Sequence, residues 1–335
     1  MSARLSILPI FVPHLGCPHA CVFCNQRRIS GQQRPAAADT VNEILCTAAA
    51  LPPSGAKRQL AFYGGSFTAI PLSQQLAFLD AAHQAVLRGE IDGVRLSTRP
   101  DAVDRQTLDR LRRFGVQTIE LGAQSMDDEV LRLSRRGHSA EDVRRASRLV
   151  REEGFELILQ MMTGLPGDSP EKSLFTAREL IKLRPDGVRI YPTVVVKDTE
   201  LYERWLRGEY REHSVEEAVS LCAQLLPLFE ETGIPVIRLG LNPSEELSGG
   251  AAVAGAYHPA FGELVKSRVL LDQARSLLRG TPAGSRVVLG VRSSLLSQAL
   301  GQHRVNVETL RREFALEELK LLPVPDQTLP LTRLR

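Results

Sequence analysis

Cys17, Cys21 and Cys24 fall within eight residues, in Gly-Cys-Pro-His-Ala-Cys-Val-Phe-Cys-Asn. Only Cys46 and Cys222 lie elsewhere. Random scatter of so few cysteines would give this spacing roughly 0.001 times per chain. Three thiolates on one tight loop grip a metal centre that needs soft ligands. Structural zinc asks for a fourth ligand, which His14 or His19 would have to supply, although neither sits at a usual finger spacing. A four-iron cluster held by three cysteines instead leaves one iron open to chelate an amine and a carboxylate. Cys222 lies on the apolar helix face of Ala218, Val219, Leu225 and Phe229 and is expected in the core. Cys46 has no partner at ligand spacing and is expected to be structural.

The loop needs a scaffold, and the chain repeats strand then helix. Apolar runs at Leu8–Val12, Leu60–Tyr63, Val94–Ser97, Thr118–Leu121, Phe155–Leu159 and Val188–Tyr191 each end in a polar or Gly/Pro-rich turn. Helical stretches lie between them, such as Ser139–Glu153 and Ser169–Leu183. Six such units predict an α/β fold, a partial (β/α)6 barrel of the TIM type. Such barrels place their chemistry just after the strands, where every motif of this chain lies. Ser214-Val215-Glu216-Glu217 reads as a capping box opening a helix that Pro227 should kink or end. Val236–Leu239 reads as a further strand and Asn242–Ala256 as a loop. The tail reads strand (Arg286–Val291), helix (Ser294–Leu300), helix (Val307–Phe314), strand (Leu319–Val324). The expected division is 1–195, a partial barrel; 196–265, a barrel-completing extension and loop; and 266–335, a small βααβ domain.

Composition limits the function classes. The chain has 335 residues, 43% hydrophobic and 24% charged, so it can build a sizeable core. Its 42 Lys and Arg against 39 Asp and Glu leave +3, which permits an RNA partner without requiring one. No stretch reads as membrane-spanning. The apolar run Ile7–Val12 is cut by Pro9, so no secretory leader is read and the cytoplasm is expected. There thiols stay reduced and cysteines serve as ligands or core residues.

With Phe23 as its aromatic, C-x3-C-x-aromatic-C resembles the signature of the radical S-adenosylmethionine (SAM) enzymes. The resemblance implies a [4Fe-4S] cluster on Cys17, Cys21 and Cys24, with SAM on the open iron, cleaved by one electron to a 5′-deoxyadenosyl radical. Gly64-Gly65-Ser66 resembles the motif that takes the SAM amino group; Ser66 replaces the commoner glutamate, leaving backbone carbonyls as acceptors. Gln124 and Arg136 resemble a pair that faces the SAM ribose and carboxylate in coproporphyrinogen-oxidase-like and Elongator-subunit-3-like members, and an arginine suits a carboxylate because it binds bidentately. Ser97 opens Ser-Thr-Arg-Pro-Asp, where the Elongator-subunit-3 group usually has Glu. Thr163–Gly167 and Arg189–Thr193, which includes Tyr191, match the same group, whose last strand reads adenine through its backbone. The likeness runs from about His14 to Leu206.

The tail resembles a minimal KH fold, whose G-x-x-G loop clamps nucleic-acid backbone; here the loop is Gly301-Gln302-His303-Arg304, with Arg in place of the second Gly. No acetyl-CoA motif is present, so the acetyl transfer of the Elongator family is not expected. The resemblance implies an enzyme that modifies RNA, tRNA first, and draws electrons from a flavodoxin- or ferredoxin-type donor. The alternatives are a small-molecule substrate, as in the coproporphyrinogen-oxidase-like relatives, and a non-enzymatic zinc and RNA-binding module. His258 reads as a loop histidine. No residue is singled out as catalytic.

Overall fold

The structure, a computed structural model, describes residues 5–12, 17, 21–30, 37–49, 55–325 and 329–334. His14 and His19 lie outside the described residues. The chain divides into two compact units, Met1–Ser214 with Leu228–Tyr257, and Val215–Pro227 with His258–Arg335.

In the first unit the strands are β1 (Leu5–Phe11), β2 (Lys57–Tyr63), β3 (Gly93–Thr98), β4 (Val116–Gln124), β5 (Glu156–Thr163), β6 (Gly187–Pro192), β7 (Val194–Val196), β8 (Val236–Leu239) and β9 (Ala252–Gly255). The helices here are α1 (Gln26–Ser30), α2 (Asp39–Ala49), α3 (Leu72–Leu87), α4 (Arg105–Arg113), α5 (Asp128–Leu133), α6 (Ala140–Glu152), α7 (Pro170–Lys182) and α8 (Glu200–Leu206). Among the described residues seven strands form one parallel sheet, ordered β1-β2-β3-β4-β5-β6-β8 and curled into a half-barrel. Val236–Leu239 thus joins as its last strand.

Period-two alternation makes the curl useful. Leu96, Leu121, Leu159, Met161 and Ile190 are buried, whereas their neighbours Ser97, Gly122, Gln160, Met162, Arg189 and Tyr191 keep some exposure on the other side. Local signals set the helix starts. The Asp104 carboxylate accepts from the Thr107 amide at 2.7 Å to cap α4. Ser139 and Asp142 form a reciprocal capping box on α6. Ser169 caps α7, with Pro170 in the first turn.

Three expectations are corrected. Asn242–Ala256 is not only loop: Ala252–Gly255 forms β9, antiparallel to β7. A Cβ on Gly255 would come within 2.9 Å of the Thr193 carbonyl, so small residues admit the close approach that hid this strand behind loop-like composition. Pro227 does not end its helix, α9 (Val215–Glu231); the boundary between the two units falls there instead. Cys46 is exposed rather than packed, whereas Cys222 is fully buried.

The second unit adds α10 (Phe261–Leu278), β10 (Arg286–Arg292), α11 (Leu296–Leu300), α12 (Val305–Glu313), β11 (Glu318–Val324) and β12 (Leu331–Arg333). β10 pairs in parallel with β11, so α11 and α12 form a crossover between them, and β12 runs antiparallel on the other side of β10. Leu270, Leu278, Leu289, Val291, Leu310 and Leu319 share one apolar core. This is the expected βααβ order.

Candidate active site

The cysteine loop meets the mouth of the half-barrel. The Val22 amide donates to the Ser134 carbonyl at 3.2 Å, and the Leu201 amide to the Val22 carbonyl at 2.7 Å, holding the loop between α5 and α8. Arg28 on α1 pairs with Asp198 at 2.9 Å and Glu246 at 3.3 Å. Phe23 packs with Tyr202, Trp205 and Tyr210 around buried Val22, Val195 and Leu201.

Arg136 connects this loop to β4. Its guanidinium donates to Cys21 Sγ at 3.2 Å and to the Gly122 carbonyl at 2.8 Å. Arg99 donates to the Arg136 carbonyl at 2.6 Å and pairs with Asp101, fixing the turn. Gly122 is small for a reason: a Cβ there would sit 2.8 Å from Gln124 Nε2 and 3.2 Å from Arg136 Nη2. Gln124 has φ 65, and the Ser125 amide donates to the Ala123 carbonyl at 2.9 Å across it. That is a γ-turn of the rare positive-φ hand, a strained conformation for a non-glycine residue. It turns the Gln124 amide toward Gln160, whose Nε2 donates to Gln124 Oε1 at 3.2 Å. His138 braces the turn from behind, Nε2 to Ala123 carbonyl 3.2 Å. Burial and Arg136 push the His138 pKa down to about 4, so the ring is neutral at pH 7.

Gly64 adopts φ 85 at the end of β2, beside Phe11 and Gln26. The Ser66 hydroxyl is bonded to Thr98 Oγ1 at 3.0 Å and to the Arg99 amide at 3.2 Å, and its carbonyl accepts from the Ala69 amide at 3.0 Å. Ser97 Oγ reaches only the Phe62 carbonyl, at 3.4 Å. Tyr191 on β6 has its phenol pKa raised by burial and lowered by the nearby Arg189.

Below these residues lies a cluster that the sequence reading missed. Glu120 accepts from the Tyr63 hydroxyl at 2.6 Å and pairs with Arg189 at 2.8 Å and Arg95 at 3.3 Å. Arg95 and Glu120 are almost fully buried. The available signal was weak: charged residues recur at inward positions of strands that are otherwise apolar, as in Arg95/Ser97, Glu120/Gly122 and Arg189/Tyr191.

Burial raises the Cys17 thiol pKa, Cys21 raises it further, and the Ser66 amide lowers it. Burial pushes Cys24 up to about 12, and both other cysteines add to the rise. Arg136 and Arg99 lower the Cys17 thiol, and a cationic centre beside the sulfurs would favour their thiolates in the same way. Among the described residues no three His, Cys, Asp or Glu side chains pack tightly enough to share one ion. Three thiols suffice to hold an iron–sulfur cluster with one iron open, whereas structural zinc asks for a fourth ligand, and His14 and His19 lie outside the described residues.

A family model described as the radical SAM superfamily matches residues 11–180, just over half of the 335 residues. The chain belongs to the radical SAM superfamily. A radical SAM C-terminal domain matches residues 185–270. The chain is therefore an enzyme whose cofactors are a [4Fe-4S] cluster and SAM. The tRNA uridine(34) acetyltransferase of Methanocaldococcus infernus is 37% identical over 146 residues, 41% of this chain and 27% of that protein. Elongator complex protein 3 of Schizosaccharomyces pombe is 30% identical over 185 residues, 49% of this chain and 34% of that protein. The chain thus spans about a third of these relatives. An uncharacterized protein of Methanocaldococcus jannaschii is 32% identical over 223 residues, 63% of this chain and 68% of that protein. By structure, the M. infernus Elp3 with an N-terminal deletion superposes with TM-score 0.62 at 22% identity, covering 85% of this chain and 67% of that one. Escherichia coli coproporphyrinogen III oxidase superposes with TM-score 0.50 at 21% identity, covering 69% and 53%. Both likenesses speak to the radical SAM fold alone. Among the described residues no helix is long and apolar enough to cross a membrane.

Proposed function

We propose that this radical SAM enzyme modifies RNA, with tRNA as the first candidate, and that Cys17, Cys21 and Cys24 hold its cluster. The carrying observation is the Arg136 guanidinium, which spans from Cys21 Sγ at 3.2 Å to the Gly122 carbonyl at 2.8 Å. One side chain thereby joins the cysteine loop to the strand end that carries Gln124. When bound, the cluster and SAM supply a carbon-centred radical. The chain's own residues do the positioning. Arg136 takes the SAM carboxylate, the Gly64–Ser66 backbone takes the amine, and Gln124 with Gln160 reads the ribose hydroxyls. Ser97 contributes a neutral hydrogen bond, and the β6 backbone at Tyr191 lies against adenine. Phe23 and its aromatic neighbours keep water from the cysteine loop.

The RNA substrate rests on the relatives' names and on the Gly301–Arg304 loop. Arg304 adopts φ 62, the backbone that the second glycine of such a loop would take freely, and adds a phosphate-seeking cation. A one-electron donor protein completes the reaction.

The test is anaerobic reconstitution followed by a SAM-cleavage assay with and without bulk tRNA. Wild type should carry iron and sulfide, bleach with dithionite and release 5′-deoxyadenosine, with turnover increased by tRNA. Cys21→Ser should lose the cluster and the cleavage together. Stoichiometric zinc without iron would refute the cluster assignment. SAM cleavage with no salt-dependent tRNA affinity would leave a small-molecule substrate in place of RNA.

A further inference from the structure

The outer faces of α6 and α7 sort their charges unevenly. At the C-terminal end of α6 the carboxylates turn toward α4: Glu152 pairs with Arg105 at 3.0 Å, and the capping Glu153 with Arg112 at 2.6 Å. The edge facing α7 carries Arg144, Arg148 and Arg151 at i, i+4 and i+7, one stripe about 10 Å long at 1.5 Å per residue. Arg144 crosses to Glu179 on α7 at 3.0 Å, and Arg151 donates to the Arg184 carbonyl. These two interactions bracket Arg148. On α7, Phe175, Arg178 and Lys182 follow at i, i+3 and i+7, and Phe175 is 42% exposed.

Six cations (Arg144, Arg148, Arg151, Arg178, Lys182 and Arg184) therefore share this face with Glu141, Glu171 and Glu179. The local surplus equals the +3 of the entire chain. Glu141 and Glu171 sit in the first turns of their helices, so on this face the C-terminal halves of α6 and α7, with Arg184 just beyond α7, hold five cations against Glu179 alone. Glu179 is already shared between Arg144 and Lys182. Asp186, next in the chain, is committed to the Leu157 amide at 2.8 Å. The side chains of Arg148, Arg178 and Arg184 are exposed and have no carboxylate partner among the described residues. Exposed ion pairs contribute little to stability, and unpaired guanidiniums repelling one another contribute nothing, so the arrangement has no evident use in the fold. It suits a polyanion with regularly spaced charges, and Phe175 beside Arg178 offers a ring for an unpaired base.

We infer that the α6–α7 face binds the sugar–phosphate backbone of the RNA substrate through Arg148, Arg178 and their neighbours. This rests on the RNA reading above and assigns it a surface. None of these residues belongs to the proposed cofactor site.

The test measures tRNA affinity of the reconstituted holoenzyme across a salt series. Arg148→Glu and Arg178→Glu are compared singly with Arg113→Glu, an exposed reversal of the same charge on α4. The double variant Arg148→Glu/Arg178→Glu should weaken binding about tenfold or more and flatten the log–log salt slope by about 0.7–0.9 for each phosphate no longer neutralised. Arg113→Glu should leave the slope unchanged, and SAM cleavage without RNA should stay at the wild-type level in all variants. If wild type binds tRNA and both α6–α7 variants match Arg113→Glu, the surface assignment is wrong while the RNA reading stands. If wild type shows no salt-dependent tRNA affinity, the RNA reading fails first. Should the variants keep tRNA affinity but accept electrons more slowly from an acidic carrier protein, the face serves a protein partner and the inference is overturned.

Discussion

Gln124 shows how one residue's backbone decides what its side chain can do. A positive φ outside glycine costs about 1–2 kcal/mol, and here the γ-turn is held by the Ser125 amide and His138. The groups crowding Gly122 are ends of flexible side chains, so Gly122→Ala should fold but push Gln124 and Arg136 aside. We expect its KM for SAM to rise about tenfold, roughly 1.4 kcal/mol, with cluster content unchanged; steady-state kinetics and iron analysis check this. His138 gives a pH signature. Its folded pKa of about 4 lies below the ordinary 6.5. As pH falls, the unfolded chain takes the proton first, so this contribution is complete above about 6.5 and is lost between there and about 4. His138→Gln, which keeps an N–H donor and loses the titration, should flatten the decline in urea midpoint between pH 7 and pH 5.

Packing between strands accounts for the ionic cluster at the scale of elements. Glu120 on β4 serves Tyr63 from β2, Arg95 from β3 and Arg189 from β6, so one carboxylate ties four strands. Removing one partner of a buried ion pair costs more than the pair contributes, because the remaining charges stay desolvated. Glu120→Gln leaves two buried guanidiniums without their shared anion and should destabilise the half-barrel by about 3–5 kcal/mol. Tyr63→Phe removes two hydrogen bonds, one to Glu120 and one from Arg189, but leaves the ion pairs in place and should cost about 1.5–3 kcal/mol. Urea titrations of both variants test the order; a smaller loss for Glu120→Gln than for Tyr63→Phe would contradict it.

For the whole molecule, two compact units make a single melting temperature a poor descriptor. Gly301 in the second unit has φ 71 and ψ 170, a region closed to side chains. A Cβ there would meet Asn306 Cγ and Val305 Cγ1 at 3.0 Å. Asn306 itself holds α10 and α11 through Ser267 Oγ at 3.0 Å and the Ala299 carbonyl at 3.1 Å. Gly301→Ala should therefore cost about 1–3 kcal/mol, seen as faster amide exchange across β10, α12 and β11 with the β2–β6 amides unaffected.

Local patterns carried most of the architecture. Cysteine spacing, strand-then-helix alternation and the βααβ tail are all written within short windows, where ligand chemistry and hydrophobic period act on neighbours in the chain. Partners brought together from distant windows left no such mark. Arg95, Glu120 and Arg189 meet only because β3, β4 and β6 curl inward, and β9 was hidden in glycine and alanine until β7 lay beside it. Arg136 was legible as a candidate, but its bond to Cys21 arises across 115 residues. From composition and spacing alone the chain was committed to soft-metal chemistry on an α/β scaffold. Which buried charges neutralise one another, and which surface cations stay unpaired, was decided by tertiary packing, because electrostatic pairing depends on distance in space rather than along the chain.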